Sequence, residues 1–187
     1  YYRTLVNEDA TPIKRKNLFL NYHTKLKYET LNKRYFPTKG LKTNISYTIH
    51  TDLHTNTAYS SLATQITKIF PIALNTFIIP TIYGRFIFND GIPFMYSNVI
   101  GGEGYNPHYE QQIPFSGLPH TESTLKLLGN ARIQIRHKFH GKQYLTLSGN
   151  YAIHQNQFSN FLQGKKIYGT SIGYGYDSPL GPIEGFI

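Results

Sequence analysis

From Ala131 to Phe139 the chain alternates without a break. Ala131, Ile133, Ile135, His137 and Phe139 take one parity, and Arg132, Gln134, Arg136 and Lys138 take the other. Successive side chains on a strand point to opposite faces, so this stretch has one mostly apolar face and one very wet one. After the turn His140-Gly141-Lys142 the pattern resumes. Leu145, Leu147, Gly149, Tyr151 and Ile153 now oppose Tyr144, Thr146, Ser148 and Asn150. The spacing predicts a β-hairpin with water on one side and something apolar on the other.

The same period recurs along the chain. Tyr1 to Lys16 is polar and charged and reads as a loop. From Asn17 to Glu29, Leu18, Leu20, Tyr22, Leu26 and Tyr28 oppose Asn21, His23, Lys25, Lys27 and Glu29. Pro37 and Gly40 then stop the strand and permit a reversal. Leu41, Thr43, Ile45, Tyr47 and Ile49 oppose Lys42, Asn44, Ser46, Thr48 and His50, and 50–56 reads as a loop. A third strand runs from Tyr59 to Phe70, closed by Pro71. A fourth, Asn75 to Phe88, is apolar on both faces apart from Arg85, which requires a covered inner side or a deep position. Asn89 to Thr124 is long, irregular and rich in Gly and Pro, the mark of a functional segment or one inserted into a cavity. In Ile167 to Tyr176, Tyr168, Thr170, Ile172, Tyr174 and Tyr176 oppose Gly169, Ser171, Gly173 and Gly175. A turn at Asp177 to Pro182 leads to a last strand, Ile183 to Ile187.

The 187 residues suit one domain or part of one. They include 16 Tyr, 12 Phe and 16 Gly but neither Trp nor Cys, which favours an all-β fold and excludes a disulfide framework. A net charge of +9 fits nucleic acid, anionic lipid headgroups or a water-filled channel lined with cations. No apolar run reaches the ~18 residues of a transmembrane helix, but strands of about 9–11 alternating residues span as well. Seven or eight long antiparallel strands, with connections that alternate short and long, are the habit of outer-membrane barrels. The start of the chain has no signal-peptide core, so an exported protein would make this a mature or excised piece. A base-stacking platform needs cations and aromatics on one face. Here they occupy opposite faces, which argues against a nucleic-acid partner and puts Lys25, Lys27, Lys42, Arg132, Arg136 and Lys138 in a lumen.

Short chemical motifs give way to structural readings. Gly169-Thr-Ser-Ile-Gly173 matches the nucleophile elbow of serine hydrolases, but it sits in a Gly/Tyr alternation with no helix to follow. Ser171 therefore reads as a small residue on the inner face of a strand. His137 and His140, the tightest histidine pair, fall on opposite faces and cannot share an ion. The acids are scattered through loops, and no phosphate-binding loop occurs. No catalytic, cofactor or metal residue is expected in this segment.

Three stretches carry a resemblance: Arg34-Tyr-Phe-Pro-Thr-Lys-Gly40, Phe94-Met-Tyr-Ser-Asn-Val-Ile-Gly-Gly102 and Gly173-Tyr-Gly-Tyr-Asp-Ser-Pro-Leu-Gly-Pro-Ile-Glu184. In this order and spacing they resemble the bacterial surface-antigen outer-membrane β-barrel family. The family includes outer-membrane insertases, their translocation relatives and the barrels of bacterial patatin-like phospholipases. The resemblance implies an antiparallel transmembrane β-barrel of sixteen strands, this chain being its C-terminal half of about eight without the final strand. It implies turns at Pro37, Thr38 and Gly40 and at Asp177, Pro179, Gly181 and Pro182. It also implies that 89–124, with Gly101, Gly102, Glu103, Gly104 and Tyr105, folds into the lumen. The basic face of the hairpin is then a wall for that loop, with Glu103 or Glu110 as partners. The insertases carry an Arg-Gly-aromatic motif soon after the Gly-Gly pair, and this chain has no Arg there. Ile113-Pro-Phe-Ser-Gly-Leu118 looks more like the patatin-associated subgroup, whose catalytic Ser and Asp would lie upstream.

The expected role is a Gram-negative outer-membrane barrel that anchors, dimerises or exports an upstream patatin-like lipid hydrolase. Its partners would be the lipid bilayer, lipopolysaccharide and a homodimer or larger outer-membrane complex. The alternatives are an assembly or translocation barrel of the same family, and a soluble basic β-domain binding nucleic acid or an acidic glycan.

Overall fold

The alternating stretches form the strands of one long sheet. The computed structural model describes residues 18–90, 92–93, 96–102, 111–118 and 122–187, so the expected loop at 1–16 lies outside it. Four strands, β1 (Phe19–Glu29), β2 (Gly40–Asp52), β3 (Thr57–Ala73) and β4 (Thr76–Ile87), precede three short ones. These are β5 (Val99–Ile100), β6 (Gln112–Ile113) and β7 (Glu122–Ser123), and the chain ends in β8 (Leu127–His140), β9 (Gln143–Gln155), β10 (Lys165–Ser178) and β11 (Gly181–Phe186). The eight long strands pair in the order β1-β2-β3-β4-β8-β9-β10-β11, every neighbour antiparallel. Among the described residues the sheet is open, with β1 and β11 as its edges. The short strands form a second sheet, β6-β5-β7, inside the long segment.

Register assigns each side chain to a face. Ile135 pairs with Ile78 and Leu147, and Arg136 with Phe77 and Thr146. Carried across the sheet, one face bears Leu26, Ile45, Ile66, Ile82, Ile133, Leu145, Leu147 and Ile172, all of them exposed. The other bears Arg85, Asn130, Arg136, Thr146, Ser148 and Asn150, all buried. A globular protein in water would show the reverse. A sheet with polar groups within and aliphatic groups without is built for lipid outside and an aqueous or polar interior. Aromatics flank the aliphatic band. Phe139 and Tyr174 stand with ring centres 6.3 Å apart near one end, and Tyr151 and Tyr168 5.2 Å apart toward the other.

Two strand limits differ from the sequence reading. Strand β3 does not stop at Pro71 but continues to Ala73, with a register shift between Pro71 and Ala73. Proline lacks a donor and is tolerated where the ladder is irregular, so it bends this strand instead of ending it. Strand β2 runs to Asp52, because Asp52 pairs with both Phe19 and Thr57 and its carboxylate accepts the His54 N–H at 2.9 Å. Only 53–56 turns, with Asn56 in the left-handed region at φ 54°.

At one end of the sheet the connections are two residues long at 74–75, 141–142 and 179–180. Asn75 (φ 61°), Gly141 (φ 51°) and Gly181 (φ 129°) supply the positive φ these reversals need. The connection 30–39 at the same end is longer and folds inward. Asn32 holds it in shape, its Oδ1 accepting the N–H of Thr38 at 3.0 Å and of Lys39 at 3.2 Å, while its Nδ2 donates to Thr38 Oγ1 at 2.8 Å. Gly40 (φ 127°) closes it, and a Cβ there would lie 2.5 Å from the Thr30 carbonyl oxygen. The turn carries Phe36, fully buried, across to β9, where it stacks on Tyr144 with ring centres 4.3 Å apart. A loop joining β1 to β2 reaches β9 only if the sheet is strongly curled.

Candidate functional site: a segment latched across the inner face

Between β4 and β8, residues 96–102 and 111–118 lie on the polar face of the curled sheet. The first part of this segment lies against β1, β2 and β4. The Tyr96 ring stacks on His50 with centres 3.8 Å apart and meets Phe19 edge-on at 5.3 Å. Its later part lies against β8, β9 and β10, where Ile100, Ile113 and Phe115 form one buried cluster with Leu128 and Ala152. Tyr83, Leu118 and Ile167 pack around that cluster. The segment thus spans the concavity from one wall to the other.

A buried arginine fixes the near side. Arg85 Nη1 donates to Asn98 Oδ1 at 2.6 Å and to the Tyr96 carbonyl at 3.2 Å, and Nη2 donates to the same carbonyl at 3.2 Å and to Ser61 Oγ at 3.3 Å. Asn98 is fully buried and donates onward to the carbonyls of Leu125 (2.8 Å) and Lys126 (2.9 Å), where the segment rejoins β8. Its own carbonyl accepts the Thr124 N–H at 2.9 Å. Asn98 therefore ties both ends of the segment to one guanidinium. The donors of a buried charge must be satisfied, and here neutral oxygens do it.

Small residues on β10 make the far side possible. Ser116 is fully buried, accepts from Asn150 Nδ2 at 2.7 Å and shares a 3.0 Å hydrogen bond with Ser171 Oγ. A Cβ on Gly169 would collide with the Ser116 carbonyl oxygen and lie 2.9 Å from the Phe115 ring. One on Gly173 would strike the Phe186 ring, and one on Gly175 would lie 2.6 Å from Phe36. The Gly/Tyr alternation of β10 is thus a row of slots on the inner face backed by aromatics on the outer. Ser171 sits in that row as a small inner residue bonded to Ser116, and the strand runs straight through the G-x-S-x-G match with no turn.

The residues singled out from sequence separate into groups. Lys25, Lys27, Lys42, Arg132, Arg136 and Lys138 share the inner face, by their pairing with Ser46, Asn44, Glu29, Asn150, Thr146 and Tyr144. Lys27 is bound to Glu29 at 2.5 Å. Arg132 donates to Ser148 Oγ at 3.4 Å. The Arg136 guanidinium lies over the Phe36 ring at 5.4 Å and its Nε donates to Thr146 Oγ1 at 3.4 Å, so the inward turn covers this part of the basic wall. Gly101 (φ 129°) and Gly102 (φ 69°) knit the segment together. Gly101 N–H donates to the Ile113 carbonyl at 3.0 Å, and the Gly102 carbonyl accepts from Phe115 at 2.9 Å. Glu103, Gly104, Tyr105 and Glu110 lie outside the described residues. Pro37, Thr38 and Gly40 belong to the inward turn, and Asp177, Pro179, Gly181 and Pro182 to the hairpin of β10 and β11, where Ser178 Oγ donates to the Gly181 carbonyl at 2.5 Å. Among the described residues no group of three or more His, Asp or Glu could hold a metal ion.

Sequence reasoning missed the Arg85–Asn98 latch. Its signal was the one cation in an otherwise apolar strand, which as a buried group had to find acceptors outside its own sheet ladder.

No helix is long and apolar enough to cross a membrane, which leaves spanning by strands open. No curated protein matches the chain with significance. The OMP85 superfamily model, whose members are outer-membrane proteins of Gram-negative bacteria, matches residues 2–187, nearly the whole chain. The all-β antiparallel sheet, apolar outside and polar inside, is that of part of such a barrel, and the chain belongs to the OMP85 superfamily.

Proposed function

We propose that this segment is the membrane-embedded barrel part of an outer-membrane protein, with residues 96–102 and 111–118 seated on its inner face, and that it anchors an upstream lipid hydrolase. The observation that carries this reading is the direction of the latch. The wall supplies the arginine and the loop supplies Asn98 and the Tyr96 carbonyl, which supports a loop fastened to the wall at this point. Ile113-Pro-Phe-Ser-Gly-Leu118, the stretch that lies across Gly169, is also the stretch that resembles the patatin-associated barrels. In this reading the segment has no catalytic residue of its own, and its partners are lipid, lipopolysaccharide and a second copy of the chain.

Deleting 18–187 from the full-length protein tests the anchoring role. Lipid-hydrolase activity should move from the outer-membrane fraction to the soluble periplasmic fraction. A second reading, assembly or translocation of outer-membrane proteins, draws on the superfamily to which the chain belongs. Full-length protein without hydrolase activity, whose depletion lowers the level of other outer-membrane barrels, would replace the anchoring role with that one.

A further inference from the structure

The connection between β9 and β10, residues 156–164, folds outward, over the lipid face. One 3-10 turn, Phe161–Gln163, gives it its shape, with the Gln163 N–H donating to the Asn160 carbonyl and the Gly164 N–H to the Phe161 carbonyl, both at 3.0 Å. Gly164 permits the tight return to the sheet, since a Cβ there would lie 2.5 Å from the His154 carbonyl oxygen. The Phe158 ring centre lies 5.7 Å from that of Phe86 and 6.5 Å from that of Phe88, and the Phe161 ring lies 6.3 Å from Phe86. Phe161 also covers Gly129, where a Cβ would stand 3.1 Å from its ring. Phe86 and Gly129 take the outward parity of Ile82 and Ile133. Leu127 and Ile153 take it too, yet both are buried, because this corner of the lipid face lies under the connection.

What the connection presents in exchange is apolar, with a cation beside it. Leu162 is 80% exposed and Phe158 59%. Lys166 faces outward by its pairing with Ile153, and Tyr168, two residues on, shares that face. Lys166 makes no ion pair among the described residues, and 156–164 contains no Asp or Glu. Asp90, at the same end, is held by Lys126 at 2.5 Å. Outer-membrane barrels turn their short connections to the periplasm and their longer ones outward, so this end meets the outer leaflet. An exposed apolar patch edged by an unpaired cation suits a lipid that carries acyl chains and a phosphate in one molecule, with tyrosine at headgroup level. We propose that 156–164 and Lys166 form a seat for the phosphorylated, multiply acylated anchor of lipopolysaccharide, lipid A, with acyl chains against Phe158 and Leu162 and a sugar phosphate at Lys166. The proposal rests on the barrel reading above and gives one lipid a place on it.

Native mass spectrometry of the full-length protein, released from detergent micelles, reads the binding of purified lipid A, of its dephosphorylated form and of phosphatidylglycerol. The wild type should hold lipid A more tightly than either of the others. Lys166→Glu should weaken lipid A binding several-fold and leave the dephosphorylated form unaffected, whereas Phe158→Ser/Leu162→Ser should weaken both forms several-fold. Heat-modifiable migration on gels verifies folding, and Lys166→Glu, on an exposed side chain, tests the phosphate contact without the double variant. Lipid A binding that Lys166→Glu leaves unchanged, an equal hold on phosphatidylglycerol, or loss of dimers in place of lipid A, as a second copy on this patch would give, would overturn the proposal while leaving the barrel standing. Absence of heat-modifiable migration in the wild type would overturn the barrel reading itself.

Discussion

Arginine at position 135 should destabilise the folded protein by about 2–4 kcal/mol in a bilayer, the cost of a cation on the lipid face near mid-membrane. Ile135 lies in the interior of β8, is 42% exposed and is flanked in register by Ile78 and Leu147. None of these offers a partner for a guanidinium. Gln134→Arg, one residue away, should cost far less. Gln134 points inward, where its amide already donates to Ser148 Oγ at 3.2 Å, beside Arg132. A new cation there meets polar groups and pays only a screened repulsion from its neighbours. Urea unfolding in lipid vesicles measures both, and equal losses would refute the assignment of faces.

Arg85→Met should release the segment from the near wall. The wild-type guanidinium makes hydrogen bonds to Asn98, Tyr96 and Ser61, and bonds to charged groups contribute roughly 1.5–3 kcal/mol each before desolvation is set against them. The methionine avoids the cost of burying a charge but leaves the Tyr96 carbonyl and Asn98 Oδ1 without their donor, at about 1–3 kcal/mol apiece. The net expectation is a loss of about 3 kcal/mol in docking, or on the order of a hundredfold more undocked segment. Arg85→Lys should recover only part of this, since one ammonium cannot reproduce the two-nitrogen grip on a carbonyl. Limited proteolysis within 89–124 reads the effect. A cleavage rate that Arg85→Met leaves unchanged would mean that the apolar cluster around Phe115 alone holds the segment.

Facing was legible in the sequence because a strand has a period of two and no freedom to violate it. The parity of Ile133 against Arg132, or of Leu26 against Lys27, is the parity of the folded sheet. Boundaries were less legible, because pairing overrides local preference: His50 pairs with both Asn21 and Tyr59, and Pro71 pairs with Phe77 beside a register shift. The short strands β5, β6 and β7 span two residues each, too few for any period to show. The glycines of β10 were readable as small residues, but not the groups that fill their slots. Phe186 comes from the neighbouring strand β11, paired with Gly173, whereas Phe115 and Phe36 come from distant parts of the chain that the curl of the sheet brings to β10. The latch was half visible: Arg85 stood out, whereas Asn98 lies in a segment without periodicity.

The docked segment itself is open to a direct measurement. Ser116 Oγ and Ser171 Oγ stand 3.0 Å apart, one on the segment and one on the inner face of β10, and the 187 residues contain no cysteine. Ser116→Cys/Ser171→Cys in the full-length protein, oxidised in native outer membranes, should form an intramolecular disulfide that shifts migration on non-reducing gels. Absence of that cross-link, where a cross-strand pair at Leu147 and Ile172 does form one, would contradict a segment seated inside an outer-membrane barrel.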